Sequence, residues 1–206
     1  MRPLPRLHAV TDARVAVLPD LGVRAAAIAA AGPAVALHAR DRTSGGDALA
    51  RLTRRFVALA RPPEAAVFVN GRPDVAAALG ADGVQLAAGD LAPADARRAL
   101  PHGWLGRSVH SEEEGRTAVG EGADFLLAGT IFESASHPGH PAAGPVLVER
   151  LARLGRPVIA IGGITPALAS SLREAGAWGV AALSALWDAP DPYGRAVEFL
   201  ACWSDA

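Results

Sequence analysis

The chain has no lysine: all twenty of its basic side chains are arginine, set against 21 Asp and Glu. That absence excludes Schiff-base aldolases, pyridoxal-phosphate enzymes anchored through lysine, and Walker-type nucleotidases, each of which needs a lysine amine. Cysteine is almost as scarce. Cys202 stands alone, so an internal disulfide and a cysteine-clustered zinc or iron–sulfur centre are excluded. The formal net charge is only −1, which argues against a general polyanion binder such as a nucleic-acid protein. Long apolar runs are missing too. The longest, 25–37, is broken by Gly32 and Pro33 and is too short to span a bilayer. The start of the chain lacks the apolar core of a signal peptide, so a soluble cytoplasmic protein is expected.

What is present is half apolar and one fifth charged, enough for a sizeable core in 206 residues. With no linker or charge block, residues 1–206 read as one domain. Short apolar runs at 7–10, 35–38, 66–69, 83–86, 105–108, 124–128, 158–161 and 179–183 have the length and continuity of strands buried on both faces. Between and after them lie amphipathic segments at 22–31, 46–60, 73–79, 93–100, 111–121, 145–154, 166–175 and 192–203. Thr165-Pro166 places proline at a helix start, and Ser111 with Glu114 three residues on has the spacing of a capping box. One phrase recurs where helix gives way to strand: Gly80-Ala81-Asp82, Gly122-Ala123-Asp124 and Gly176-Ala177-Trp178. Eight alternations in 206 residues predict an α/β fold of the (β/α)₈ TIM-barrel type, near the lower size limit. An open doubly wound sheet ranks below it, because no glycine-rich turn follows the first strand.

In such a barrel the chemistry sits at the C-terminal ends of the strands. Those ends carry His38, Arg40 and Arg42; Asn70; Gln85; Ser108; Thr130; Gly162 and Gly163; and Ser184. Alternate residues of an extended chain face one side, so His38, Arg40 and Arg42 are expected to line one cavity. The loops after the last two strands are the recurrent phosphate cradle of this fold, which assigns phosphate binding to Gly162, Gly163 and Ser184.

The order and spacing of several segments give the chain a family resemblance. From Leu7-His8-Ala9-Val10-Thr11-Asp12 through Asn70-Gly71-Arg72, Gly83-Val84-Gln85-Leu86, Gly106-Arg107-Ser108-Val109-His110-Ser111 and Ile161-Gly162-Gly163 to Leu183-Ser184-Ala185-Leu186, it resembles the thiamine phosphate synthase/TenI superfamily. Two branches are implied. The synthase joins a pyrimidine diphosphate to a thiazole phosphate with Mg²⁺. Its pattern has Gln, Arg and Lys where this chain has His38, Arg40 and Arg42. It has an acidic metal ligand at Gly71 and a lysine at His137, while Asp90 matches its second acidic position. The TenI-type thiazole tautomerase moves a proton without metal or other cofactor, and its His-x-Arg-x-Arg, Asn-Gly-Arg, Gln-Leu and Gly-Arg-Ser-Val-His-Ser patterns all occur here.

The resemblance therefore implies a thiamine-biosynthetic protein that binds a phosphorylated thiazole and tautomerises it. The alternatives are a divergent synthase requiring Mg²⁺ and a non-catalytic thiazole phosphate-binding protein. Arg40 and Arg42 would hold the carboxylate, and His38, Asn70, Gln85, Ser108 and Thr130 would line the ring pocket. Thr130 stands where the tautomerase keeps its proton-moving histidine, so His137 is the expected catalytic residue. No bound metal, nucleic acid or membrane is expected, and a homodimer is one assembly open to the chain.

Overall fold

Each apolar run becomes a parallel strand. The computed structural model describes residues 2–41, 45–60, 64–133 and 142–203. The strands are β1 (Leu7–Val10), β2 (Val35–Ala39), β3 (Ala66–Asn70), β4 (Gly83–Leu86), β5 (Trp104–Val109), β6 (Phe125–Ala128), β7 (Val158–Ile161) and β8 (Gly179–Ala182). They close in sequence order into a barrel, β8 pairing with β1 through Leu7↔Val180. Eight helices wrap the outside: α2 (Leu21–Ala29), α3 (Gly46–Leu59), α4 (Pro73–Leu79), α5 (Pro93–Ala99), α6 (Glu112–Gly120), α7 (Pro145–Ala152), α8 (Pro166–Glu174) and α10 (Pro192–Leu200). Two one-turn helices, α1 (Ala13–Ala16) and α9 (Ser184–Trp187), interrupt the simple alternation expected from the sequence. Four residues are too few to show a helical period. The first is instead fixed by Asp12, whose carboxylate accepts the Val15 N–H at 2.8 Å.

Helix ends follow local chemistry. Proline opens α4, α5, α7, α8 and α10, where its missing N–H costs nothing. Ser111 Oγ accepts the Glu114 N–H at 3.2 Å, as the capping spacing predicts. The Glu114 carboxylate reaches one residue further back than a standard box, accepting the His110 N–H at 2.7 Å. The recurrent turn phrase has a common purpose. Gly80, Gly122 and Gly176 all have positive φ, and the residue two places on donates its N–H to the first part of the preceding strand. In the first two copies the aspartate adds a second tie. Asp82 accepts from Val67 N at 2.9 Å, and Asp124 from Leu105 N at 2.8 Å. That role leaves Asp124 outside β6, one residue later than the sequence places the strand start.

Two apolar layers result. Alternate strand residues turn outward to meet the helices, in a shell that includes Leu37, Val69, Leu105, Leu126 and Val180. The others turn inward and form a separate cluster: Val10, Ala36, Phe68, Phe125, Leu127, Ile159 and Ala181. The N-terminal segment plugs this interior from below. Leu4 packs into the inner cluster, Trp178 Nε1 donates to Leu4 O at 3.0 Å, and Trp104 Nε1 donates to Arg2 O at 3.1 Å. The Arg6 guanidinium lies 3.6 Å over the Trp178 ring.

Gly106 shows how tightly the interior is filled. A Cβ there would overlap Gln85 Oε1 and the Phe125 ring. Gly106→Val should therefore lower unfolding free energy by about 1–3 kcal/mol or more, the usual scale of overpacking. Urea denaturation measures this, and an unchanged midpoint would show that the interior can yield.

Candidate functional site

The mouth at the C-terminal strand ends is polar, as the sequence implies, but its polar groups fall into two clusters with different partners. The first belongs to β1–β3. His38 is fully buried and stacks on Phe68, its register partner, with ring centroids 5.0 Å apart. Its Nδ1 lies 3.2 Å from Asn70 Oδ1, and its Nε2 lies 2.7 Å from Nδ1 of His8. His8, also fully buried, completes the column downward with Nε2 3.2 Å from Pro5 O. Thr11 locks the strand ends above it. Its hydroxyl lies 2.9 Å from both His38 O and Arg40 O, and its Oγ1 accepts the Arg40 N–H at 2.9 Å. The Arg40 side chain reaches back toward Thr11 O, at 3.5 Å, and is half-buried at the rim.

Burial holds both rings neutral. The His8 imidazole is pushed well below the usual histidine range, first by desolvation and then by the neighbouring His38, against a smaller opposing effect of its bond to Pro5 O. His38 falls to about 4, chiefly through desolvation; its bond to Asn70 opposes the fall and the Arg40 charge adds to it. A ring with that pKa is unprotonated at neutral pH and is a weak base.

The second cluster lies on β4–β5. Gln85, buried beneath the rim, donates from Nε2 to Ser108 Oγ at 3.0 Å and to Leu86 O at 3.3 Å. Its Oε1 has no partner among the described residues. Arg107, also on β5, points across the rim and ties down the loop after β4, donating to Ala87 O at 2.8 Å and Leu91 O at 3.2 Å. That loop carries Asp90, whose Oδ2 accepts the Ala87 N–H at 2.7 Å. The Asp90 carboxylate faces Gly71: a Cβ at position 71 would stand 3.2 Å from Oδ1 and 3.3 Å from Oδ2. The acidic positions that the sequence comparison pairs are thus neighbours in space, and here only one of them bears a carboxylate. Among the described residues no three His, Cys, Asp or Glu side chains group as a metal site.

The far side of the mouth gives a different account of the glycines. Gly162 and Gly163 have φ of 107° and 62°, and a Cβ on Gly162 would come within 2.6 Å of Thr130 Cγ2. A Cβ on Gly163 would overlap Glu133 O. The chain after β6 crosses here, Ile131 and Phe132 donating to Ile161 O and Gly162 O, each at 3.0 Å. The glycine pair therefore admits this crossing segment, a demand that the sequence reading, with its anion-binding explanation, does not include. Thr130, half-buried, starts that crossing and presents its methyl group to Gly162. Ser184 is at the start of α9, two residues beyond the end of β8, and is half-buried. The exposed His110 rests Nδ1 on Gly129 O, bridging β5 and β6 ends. Arg42 and His137, both expected at the site, lie outside the described residues.

The sequence reading does not single out His8, which stands inside an apolar run and away from the strand's C-terminal end. Arg107 and its grip on the Asp90 loop were missed because nothing in sequence separates a rim strap from a surface cation.

Comparison with known proteins agrees with the architecture. Residues 7–186 match the thiamine monophosphate synthase family. The chain is 46% identical over 143 residues to the thiamine-phosphate synthase of Thermus thermophilus, covering 68% of this chain and 69% of that one. It is 40% identical over 206 residues to that of Salinispora arenicola, covering 97% and 98%. Among solved structures it resembles the thiamine phosphate pyrophosphorylase from Pyrococcus furiosus, with TM-score 0.83, 30% identity and coverage of 97% and 96%.

Proposed function

Since the chain belongs to the thiamine monophosphate synthase family, we propose that it forms thiamine phosphate, joining a pyrimidine methyl diphosphate to a thiazole phosphate. This reverses the order in which the two branches stand on sequence motifs alone. The observation that carries it is the family match over residues 7–186, taken with relatives that bear the synthase name over nearly the full chain. In the condensation the thiazole nitrogen uses its lone pair to form the new C–N bond, the C–O bond to diphosphate breaks, and diphosphate leaves with that electron pair. No proton moves. What the reaction needs is anion stabilisation, which arginine and backbone N–H groups provide. Tautomerisation, by contrast, needs an acid/base group near neutrality. His38, at about 4 and tied to His8, does not meet that requirement.

The residues do the following. The N–H groups of Gly163 and Ser184, which take no acceptor among the described residues, hold the thiazole phosphate at the β7–β8 side. Arg40 faces the leaving diphosphate from β2. Asn70, Gln85 and Ser108 orient the pyrimidine, Gln85 acting through its bond to Ser108 Oγ. Asp90 fits a Mg²⁺ that arrives with the diphosphate, because that ion commonly takes one or two carboxylates beside phosphate oxygens and water, and Asp90 Oδ1 accepts nothing among the described residues. When bound, the ion would neutralise charge that develops on the departing diphosphate.

The test is an assay of purified protein with both substrates and Mg²⁺. Turnover near the ordinary enzyme scale of about 1 s⁻¹ or more supports the reading; no thiamine phosphate after many hours sinks it. A specific observation keeps the tautomerase as the second reading: Gly71 faces Asp90 where a second carboxylate would strengthen the synthase. The same preparation, given the non-aromatic thiazole carboxylate phosphate without metal, distinguishes the two. Whichever reaction it runs, the phosphate should matter. Binding of thiazole phosphate should exceed that of the dephosphorylated thiazole several-fold or more, because the backbone donors would otherwise lose their anion. Equal affinities by calorimetry would remove the phosphate cradle from the site.

A further inference from the structure

The buried column Pro5 O–His8–His38–Asn70 contains a proton count that fixes its polarity. Three contacts link four groups: His8 Nε2 to Pro5 O at 3.2 Å, His8 Nδ1 to His38 Nε2 at 2.7 Å, and His38 Nδ1 to the Asn70 carboxamide at 3.2 Å. Each needs one hydrogen. Two neutral imidazoles bring two between them. Pro5 O is a carbonyl and can only accept, so His8 must carry its hydrogen on Nε2. His8 Nδ1 is then bare and must accept, which places the His38 hydrogen on Nε2. His38 Nδ1 is left bare, and the third hydrogen can come only from Asn70. The carboxamide meets that demand by a half-turn about its terminal bond, which exchanges oxygen for NH₂; the contact then favours the bare nitrogen and adds to the fall in His38 proton affinity that the oxygen, so placed, opposes.

The other arrangement that fills all three contacts needs a cation in the column. His8 and His38 are fully buried, enclosed by Phe68 and Phe125, whose rings lie 5.4 and 5.7 Å from His8, and among the described residues no carboxylate bonds to either ring. An unpaired imidazolium there is strongly disfavoured, and the depressed proton affinities of both rings agree with neutrality.

We propose that His8 is a positioning residue: by accepting from His38 it locks His38 as the Nε2–H tautomer, and so turns Asn70 to offer its carbonyl oxygen to the mouth, selecting a ligand with an N–H donor. The lock itself needs no ligand; only the N–H donor selection rests on the functional reading above. His8 touches no substrate. It sets, from the barrel floor, whether a residue at the rim accepts or donates. A phenylalanine would fill the same space without that instruction, whereas asparagine would place a carboxamide oxygen near the position of Nδ1 and keep it.

The experiment is two-bond ¹H–¹⁵N correlation of the imidazoles in the full chain at pH 7, without ligand, followed by titration with thiamine phosphate. The expected result is two neutral rings, each protonated on Nε2 with a bare Nδ1. In His8→Phe the hydrogen on His38 should move wholly or partly to Nδ1, and affinity for thiamine phosphate should fall about tenfold. His8→Asn should retain the Nε2–H form and stay within about threefold of wild type. A wild-type His38 that is protonated on Nδ1, or charged, overturns the lock without any variant having to fold. So does a His38 tautomer unchanged in His8→Phe. If the wild-type rings behave as expected and thiamine phosphate does not bind, the lock stands and the functional reading fails.

Discussion

Asp90→Asn should lower thiamine phosphate formation about 10²-fold or more, the scale on which a single preorganised electrostatic contact acts in a transition state. The fold should be undisturbed. Asp90 uses one oxygen to accept the Ala87 N–H at 2.7 Å, and an asparagine oxygen can accept that same bond. What the substitution removes is the negative charge at the mouth, hence the anchor for a cation riding on the diphosphate. The defect should therefore lessen as Mg²⁺ is raised, and steady-state assays over a Mg²⁺ series read it directly. Tautomerisation makes no use of that charge. An Asp90→Asn protein that condenses as fast as wild type, or that loses tautomerase activity instead, would assign this carboxylate elsewhere.

Stability should fall steeply in mild acid, for a reason located in the barrel interior. A histidine whose folded pKa is depressed makes the unfolded chain the better proton binder. Its contribution is fully present above the unfolded value of 6.5 and is lost as pH falls through the range between the two states. For His38 the fall from 6.5 to about 4 corresponds to about 3 kcal/mol, all of it lost by about pH 4. His8, driven lower still by burial, acts in the same direction. Urea midpoints of wild type and His38→Gln, compared at pH 7 and pH 4.5, isolate this effect from carboxylate titration. The cost of the substitution should shrink markedly at the lower pH. A cost independent of pH would mean that the ring is not held neutral.

The fold was legible because parallel strands buried on both faces read as unbroken apolar runs, and because prolines and glycines punctuate the helices at physically required places. The same property hid the site's inner half. A strand apolar on both sides shows no alternation, so nothing in Leu7-His8-Ala9-Val10 says that His8 turns inward while Leu7 turns to the helices. The rim residues could be named from their position after each strand, and His38 with Asn70, and Gln85 with Ser108, do meet. Their partners could not be named. Pairing across β1–β3 depends on register, His8 standing beside Ala36 and Val10 beside His38, and register is a property of the closed barrel. Gly162 and Gly163 carry a second demand that the sequence does not separate from the first. A glycine pair after a strand signals close approach, but the sequence cannot say whether the visitor is an anion or, as here, the chain's own crossing from Thr130 to Glu133.

The plug formed by residues 2–6 bears on kinetics. With Leu4 seated in the inner cluster and both Trp104 and Trp178 tied to the segment's carbonyls, the barrel is closed at the end opposite the mouth. In the proposed condensation both ring-bearing substrates share that one doorway, and the one held deeper cannot enter past the other. Addition should be compulsory in sequence and departure should reverse it, so that the last piece in is the first piece out. Diphosphate would then leave before thiamine phosphate. Thiamine phosphate should compete with whichever substrate enters first and be noncompetitive against the second; competition against both would mean that the doorway admits them side by side.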